Sequence, residues 1–171
     1  MTRLTGLLIG LSALLLAACD SGGTCSPAAP CDCHGGDECY LSCSGPGCGL
    51  TCEDQIRCGG VCDDHCSFNC HDMNDCTTSC GASCYATCGN TVSCGAFIGP
   101  NSHYICHDTQ RCGVDAGDGS TIDCHNATTC EVVCEGNCRV NCLGTNTCRI
   151  FCGGPGQNPL MCNDGSDACG C

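Results

Sequence analysis

The sequence predicts an all-β fold, a disulfide-stapled parallel β-helix (solenoid) of about seven coils of 18 residues each. Three observations predict it. Cysteines recur in two ladders with one period, they stand at even positions within the repeating unit, and 29 of them are spread over a 171-residue chain with no Trp, three Phe and three Tyr.

The period comes first. Cys52, Cys70, Cys88, Cys106, Cys124 and Cys142 are each 18 residues apart, and so are Cys58, Cys76, Cys94, Cys112, Cys130 and Cys148. With the first ladder as offset 0, the unit carries cysteines at offsets 0, 6, 10 and 14, as in Cys52, Cys58, Cys62 and Cys66. The pattern extends back to Cys33, with one extra residue before Cys48, and forward to Cys152, after which the register breaks. The repeat region is therefore residues 33–152, followed by an irregular C-terminal cap over 153–171.

In an extended chain alternate residues face the same side, so even offsets share one face. Two further even offsets are mostly small or apolar: Leu41, Gly60, Thr78, Ala96, Val114, Val132 and Ile150 in one, and Leu50, Phe68, Ala86, Tyr104, Ile122 and Val140 in the other. A single coil buries nothing alone. Coils stacked in register pair their strands in parallel and bury a common cysteine-lined core. At about 4.8 Å per stacked strand, seven coils make a rod of roughly 30–35 Å, right-handed by the general rule for parallel crossovers. No segment shows helical periodicity, and the glycines fall largely between the strands.

The cysteine density signals a disulfide scaffold in an oxidising compartment. Gaps in the repeat suggest the pairing. Rows four and five lack both offset 10 and offset 14, with Ile98 and Ser102 in one and Ala116 and Ser120 in the other, while offsets 0 and 6 stay intact. Bonds within a coil are the simplest explanation. Offsets 0 and 6 give Cys33–Cys39, Cys52–Cys58, Cys70–Cys76, Cys88–Cys94, Cys106–Cys112, Cys124–Cys130 and Cys142–Cys148. Offsets 10 and 14 give Cys62–Cys66, Cys80–Cys84 and Cys134–Cys138, with the displaced Cys43 and Cys48 as a fourth pair. Vertical bonds between coils are the competing reading, and parity counts against them. Cys25 and Cys31 repeat the five-residue gap, whereas Cys152, Cys162, Cys169 and Cys171 stay unassigned.

The N-terminus carries a signal. Arg3 precedes an apolar run from Leu7 to Leu16, which is shorter than the roughly 20 residues of a membrane-spanning helix. Leu16, Ala17, Ala18 and Cys19 resemble the lipobox of bacterial lipoproteins. The resemblance implies cleavage after Ala18, a signal peptide over residues 1–18, and a diacylglyceryl thioether on Cys19. Stable anchoring needs two or more acyl chains, which that processing supplies. Residues 19–32 then read as a lipidated cysteine and flexible tether. Asp20 resembles the inner-membrane retention signal of enteric bacteria, a rule that differs between bacterial groups, so the choice of inner or outer membrane stays open.

Five basic against 18 acidic residues give a formal charge of −13. Such a surface repels nucleic acid and anionic headgroups, which leaves the membrane, through lipid, and an envelope or extracellular protein as partners. No cofactor is implied. His34, His71, His107 and His125 each follow an offset-0 cysteine, beside a column of Asp54, Asp72, Asn90, Asp108 and Asn126. Imidazoles beside carboxylates suit Zn or Cu, so a metal-binding envelope protein is the alternative reading. Turn-capping Asp and Asn beside tolerated His is the plainer one. Zinc held by cysteine quartets has acceptable ligand gaps, but export argues for oxidised thiols.

Catalytic motifs such as GxSxG and HExxH are absent, so no enzyme is expected. The likeness to cysteine-stapled insect antifreeze proteins is architectural only: the column that would need Thr-x-Thr holds Gln55 with Arg57 and Met73 with Asp75. Across nearly the whole chain, the lipobox, tether and cysteine-glycine repeats resemble the cysteine-rich lipoproteins of myxobacteria. That resemblance implies a structural or interaction role in the cell envelope and no specific activity.

Overall fold

The computed structural model describes residues 23–153, 158–162 and 165–170, and over them the chain is an all-β solenoid of about seven turns. Strand β1 (Gly23–Cys25) is followed by four long strands, β2 (Cys31–Cys43), β3 (Gly49–Cys62), β4 (Ser67–Cys80) and β5 (Tyr85–Ile98). Each later coil divides into two shorter strands. These are β6 (His103–His107) and β7 (Arg111–Ala116), β8 (Thr121–His125) and β9 (Thr129–Cys134), then β10 (Arg139–Asn141) and β11 (Thr147–Cys152). The coils pair in parallel and in register, Cys52 opposite Cys70, Cys70 opposite Cys88, and Cys88 opposite Cys106. The step from β2 to β3 absorbs the one extra residue, placing Cys33 opposite Cys52. At the C-terminal end β12 (Leu160–Met161) and β13 (Asp167–Ala168) turn antiparallel, β13 lying against both β10 and β12.

Register explains the core. Parallel pairing sets identical offsets side by side, so the inward columns of cysteine, Leu41, Leu50, Phe68, Tyr104 and Ile122 form one continuous buried stack. The stack is thin, and its members fit one another closely. The Phe68 ring lies across Gly60, where any Cβ would come within 2.0 Å of it.

Two corners shape each coil. At offset 2, Asp54, Asp72, Asn90, Asp108 and Asn126 all adopt left-handed backbone, with φ between 52° and 58°. Asp and Asn are the non-glycine residues that most readily tolerate this region, which accounts for the column read in the sequence. The left-handed residue also reverses the alternation. Offset 3 turns inward, burying Gln55, Met73, Thr91, Thr109 and Ala127, although an uninterrupted strand would leave odd offsets outside. Half of the column that Thr-x-Thr would have to fill in an antifreeze protein therefore faces the core rather than water.

The second corner occupies offsets 11 to 13 and stacks backbone on backbone. A Cβ on Gly99 would lie 2.6 Å from the carbonyl carbon and oxygen of Gly81, and one on Gly117 would lie 2.7 Å from the Pro100 nitrogen. Carboxylates tie successive corners together: Asp64 Oδ1 accepts the Ala82 N–H at 2.7 Å, and Asp63 Oδ2 accepts the Gly45 N–H at 2.7 Å. Asp118 does the same for Asn137 N–H at 2.7 Å, so the carboxylates of this corner serve turn amides.

The solenoid also begins earlier than the sequence suggests. Gly23–Cys25 already lies in the sheet against Leu41–Cys43, and Cys25 bonds Cys31, because that bridge and those strand hydrogen bonds hold the segment down. The flexible tether expected over 19–32 is corrected for residues 23–32; residues 19–22, Cys19 among them, lie outside the described residues. Among the described residues no helix is long and apolar enough to cross a membrane.

Candidate functional site

Three features could carry chemistry: the surface column of imidazoles and carboxylates, a buried group of thiols, and a trough on one sheet face.

The surface column is divided by the fold. His34, Glu53 and His71 occupy the same offset on β2, β3 and β4, which the parallel register sets side by side. His34 Nδ1 lies 3.1 Å from Glu53 Oε2, and His71 Nδ1 lies 3.8 Å from Glu53 Oε1 and 3.0 Å from Asp72 Oδ2. Glu53, a gap in the histidine column when the sequence is read by residue type, is the group that joins two of its members. The next row has Gly89, and a Cβ there would meet the His107 ring at 2.2 Å, so that imidazole leans over the glycine. His107 pairs instead with Asp108 at 3.1 Å, and hydrogen bonds from His107 and Asn126 hold the Asp108 carboxyl below its usual range. His125 stands opposite His107 in the register. The four histidines expected as one set are therefore separate pairs.

Disulfides follow the expected scheme over most of the rod. All seven bonds between offsets 0 and 6 are present, and Cys43–Cys48, Cys134–Cys138 and Cys25–Cys31 are also closed. Cys152 bonds Cys169, and Cys162 is disulfide-bonded too. The exceptions correct the sequence reading: Cys62, Cys66, Cys80 and Cys84, expected as two pairs, are buried free thiols. The reason lies in the stacking. These are the only two adjacent regular coils that both carry offsets 10 and 14, and Cys62 stands opposite Cys80 across β3 and β4. Each sulfur then has a partner within its coil and another one strand spacing, about 4.8 Å, away.

The quartet is hydrogen-bonded internally. The neighbouring Cys80 and Cys84 sulfurs, together with burial, raise the Cys62 pKa. Burial raises that of Cys66. Cys80 accepts from Cys62 but donates to Cys84 in buried surroundings, with a net rise, and Cys84, accepting from Cys62 and Cys80, falls to about 3. Four buried, unpaired thiols gathered in two adjacent coils are the starting arrangement for disulfide formation and exchange.

Rows four and five show how this corner survives without sulfur. Ser102 Oγ donates to Gly81 O at 3.4 Å and accepts from Cys84 N at 3.1 Å, and Ser120 Oγ repeats this with Gly99 O at 3.2 Å and Ser102 N at 3.2 Å. The Cys84 sulfur makes the matching contact with Asp63 O at 3.5 Å. Changing Cys80→Ala together with Cys84→Ser should therefore be tolerated and, after oxidation, leave no free thiol, because Cys62 and Cys66 remain to pair with each other. Cys84→Ser alone leaves three thiols and one orphan, which shuffles its neighbours. Thiol titration of the denatured chains and secretion yields check the order, with the double variant ahead of the single one.

The third feature is a trough of about 680 Å³ on the outer face of β5, β7, β9 and β11, bordered by Phe97, Arg111, Val133 and Arg149. It exists because Gly95 and Gly113 lack side chains, and a Cβ on either would meet nothing closer than 3.7 Å. Phe97 is 58% exposed there. Compared with protein-family models, with curated proteins and with solved structures, the chain matches none.

Proposed function

We propose that this chain is a lipid-anchored structural or interaction element of the cell envelope, a rigid acidic rod with no catalytic activity of its own. The observation that carries this reading is the uniform stacking of coils, each closed on itself by a short disulfide, which suits a rod that must endure outside the cytoplasm. The sequence supplies the anchor, since residues 16–19 have the form of a lipobox ending at Cys19. The outer face supplies a place for a protein partner. Phe97, Val133 and Phe151 are exposed on it, with Arg111 and Arg149 among them in an otherwise acidic chain.

Expression of the full chain and of Cys19→Ser in a lipoprotein-processing bacterium, with radiolabelled palmitate and membrane fractionation, tests the reading. The parent chain should take up label and sediment with membranes, and the variant should do neither. An unlabelled, soluble parent chain would sink the proposal.

A further inference from the structure

We propose that Glu53, His71 and Asp72 form a binding site for one divalent transition-metal ion of the Zn²⁺ type, with His34 as a positioning residue behind Glu53. The proposal stands apart from the anchoring role, since neither needs the other.

The ligand atoms are already gathered. One atom each from Glu53, His71 and Asp72 lies within 4.8 Å of the others, and His71 Nδ1 is 3.0 Å from Asp72 Oδ2 and 3.8 Å from Glu53 Oε1. A tetrahedral ion with bonds of 2.0–2.1 Å holds its ligand atoms about 3.3 Å apart. The His71–Asp72 and His71–Glu53 separations bracket that value, and side-chain adjustment at the partly exposed Glu53 and Asp72 would seat the ion. The fold fixes all three groups independently of any ion. Parallel register sets Glu53 beside His71, and the left-handed backbone of Asp72 (φ 58°) turns its carboxylate back toward the imidazole.

Chemistry narrows the ion. One imidazole and two carboxylates are the mixed nitrogen and oxygen set that suits zinc and its neighbours, whereas calcium takes six to eight oxygens and magnesium keeps its waters. Two carboxylates gathered at one imidazole concentrate negative charge that a divalent ion cancels, in a chain whose net charge is −13. Glu53 and His71 side chains are 35% and 29% exposed, which leaves the fourth position open to water or to a ligand. His34 Nδ1 holds the other carboxylate oxygen of Glu53 at 3.1 Å, the outer hydrogen bond that orients a ligating carboxylate.

The same molecule contains its own control. His107 and Asp108 repeat the His71 and Asp72 pairing at the same offsets, 3.1 Å apart, but Gly89 precedes them where Glu53 precedes His71. Although His125 stands next in the register, no third donor among the described residues lies within 4.8 Å of both.

The test uses ZnCl₂ and the full mature chain. Histidine side-chain NMR during the titration should show the His71 and His34 imidazoles moving together and saturating one equivalent beyond any zinc taken up by the quartet thiols, with His107 and His125 still. Equilibrium dialysis compares the same chain with His71→Ala and Asp72→Asn, and zinc held by the quartet thiols is common to all three and cancels in the difference. Each variant should bind one equivalent less, while His34→Ala weakens that equivalent about tenfold and His107→Ala leaves it unchanged. The assignment is overturned by shifts at His107 or His125 in place of His71, by equal uptake in parent and His71→Ala, or by no binding below about a millimolar, the weak end for extracellular cation modules.

Discussion

Full reduction by dithiothreitol in native buffer is expected to unfold the described solenoid, abolishing its strand circular dichroism and exposing it to protease within minutes. Ten of the bridges close loops with sequence separations of only 4 to 6. Loop entropy makes each worth about 2 kcal/mol, so together they exceed the roughly 5–15 kcal/mol by which ordinary domains are stable. Aromatic packing cannot compensate, since Phe68 and Tyr104 are the only large aromatic side chains in the described core. A reduced, alkylated chain that kept its strand signal and its protease resistance would show that strand stacking alone suffices.

Gly99→Ala is expected to destabilise the second corner strongly. The new Cβ would lie 2.6 Å from the Gly81 carbonyl, and the obstacle is backbone, which cannot swing aside as a side chain can. The second corner must open, lengthening the bonds from Ser83 N to Pro100 O and from Gly99 N to Cys80 O, now 2.9 and 3.0 Å. Overpacking of this kind costs about 3 kcal/mol, which lowers the melting temperature by roughly 6–12 °C in a chain of this length. Gly95→Ala is the matched control. Its Cβ meets Thr77 Oγ1 at an ordinary 3.7 Å, and strand glycine is itself unfavourable, so its melting temperature should stay level or rise slightly. Thermal melts of the two variants beside the parent chain decide the matter.

Much of this architecture is legible in the residues. Cysteines spaced by 18 are in register across the sheet because parallel stacking has no other way to place a repeat of fixed length. The offset-0 and offset-6 bonds follow from rows that lose their other cysteines in pairs. Gln55, Met73 and Thr91 were not legible as core, since strict alternation puts them outside. The clue was present nonetheless in the neighbouring column, where only Asp, Asn or Gly stands, the residue types that accept left-handed backbone. Glu53 was hidden for a different reason. A motif read by residue type sees a missing histidine, whereas a site is built from whatever donors the register brings together. The quartet exceeds what counting can give, because Cys62 has two suitable partners and sequence spacing favours neither by geometry. Cys152 with Cys169 joins the last coil to the antiparallel cap, beyond the point where the period fails.

The placement of the disulfides has a mechanical consequence. Every bond between offsets 0 and 6 ties a coil to itself, and none of them ties one coil to the next. Along its axis the rod is thus a string of small covalent rings, held ring against ring by non-covalent contacts alone: strand hydrogen bonds, turn contacts and the buried side-chain stack. Tension applied between the two ends would peel coils away one at a time, each step paying out the slack of one 18-residue repeat less the part locked inside its ring. Torn coils would keep their rings, so each would return to the stack with part of its bend already closed.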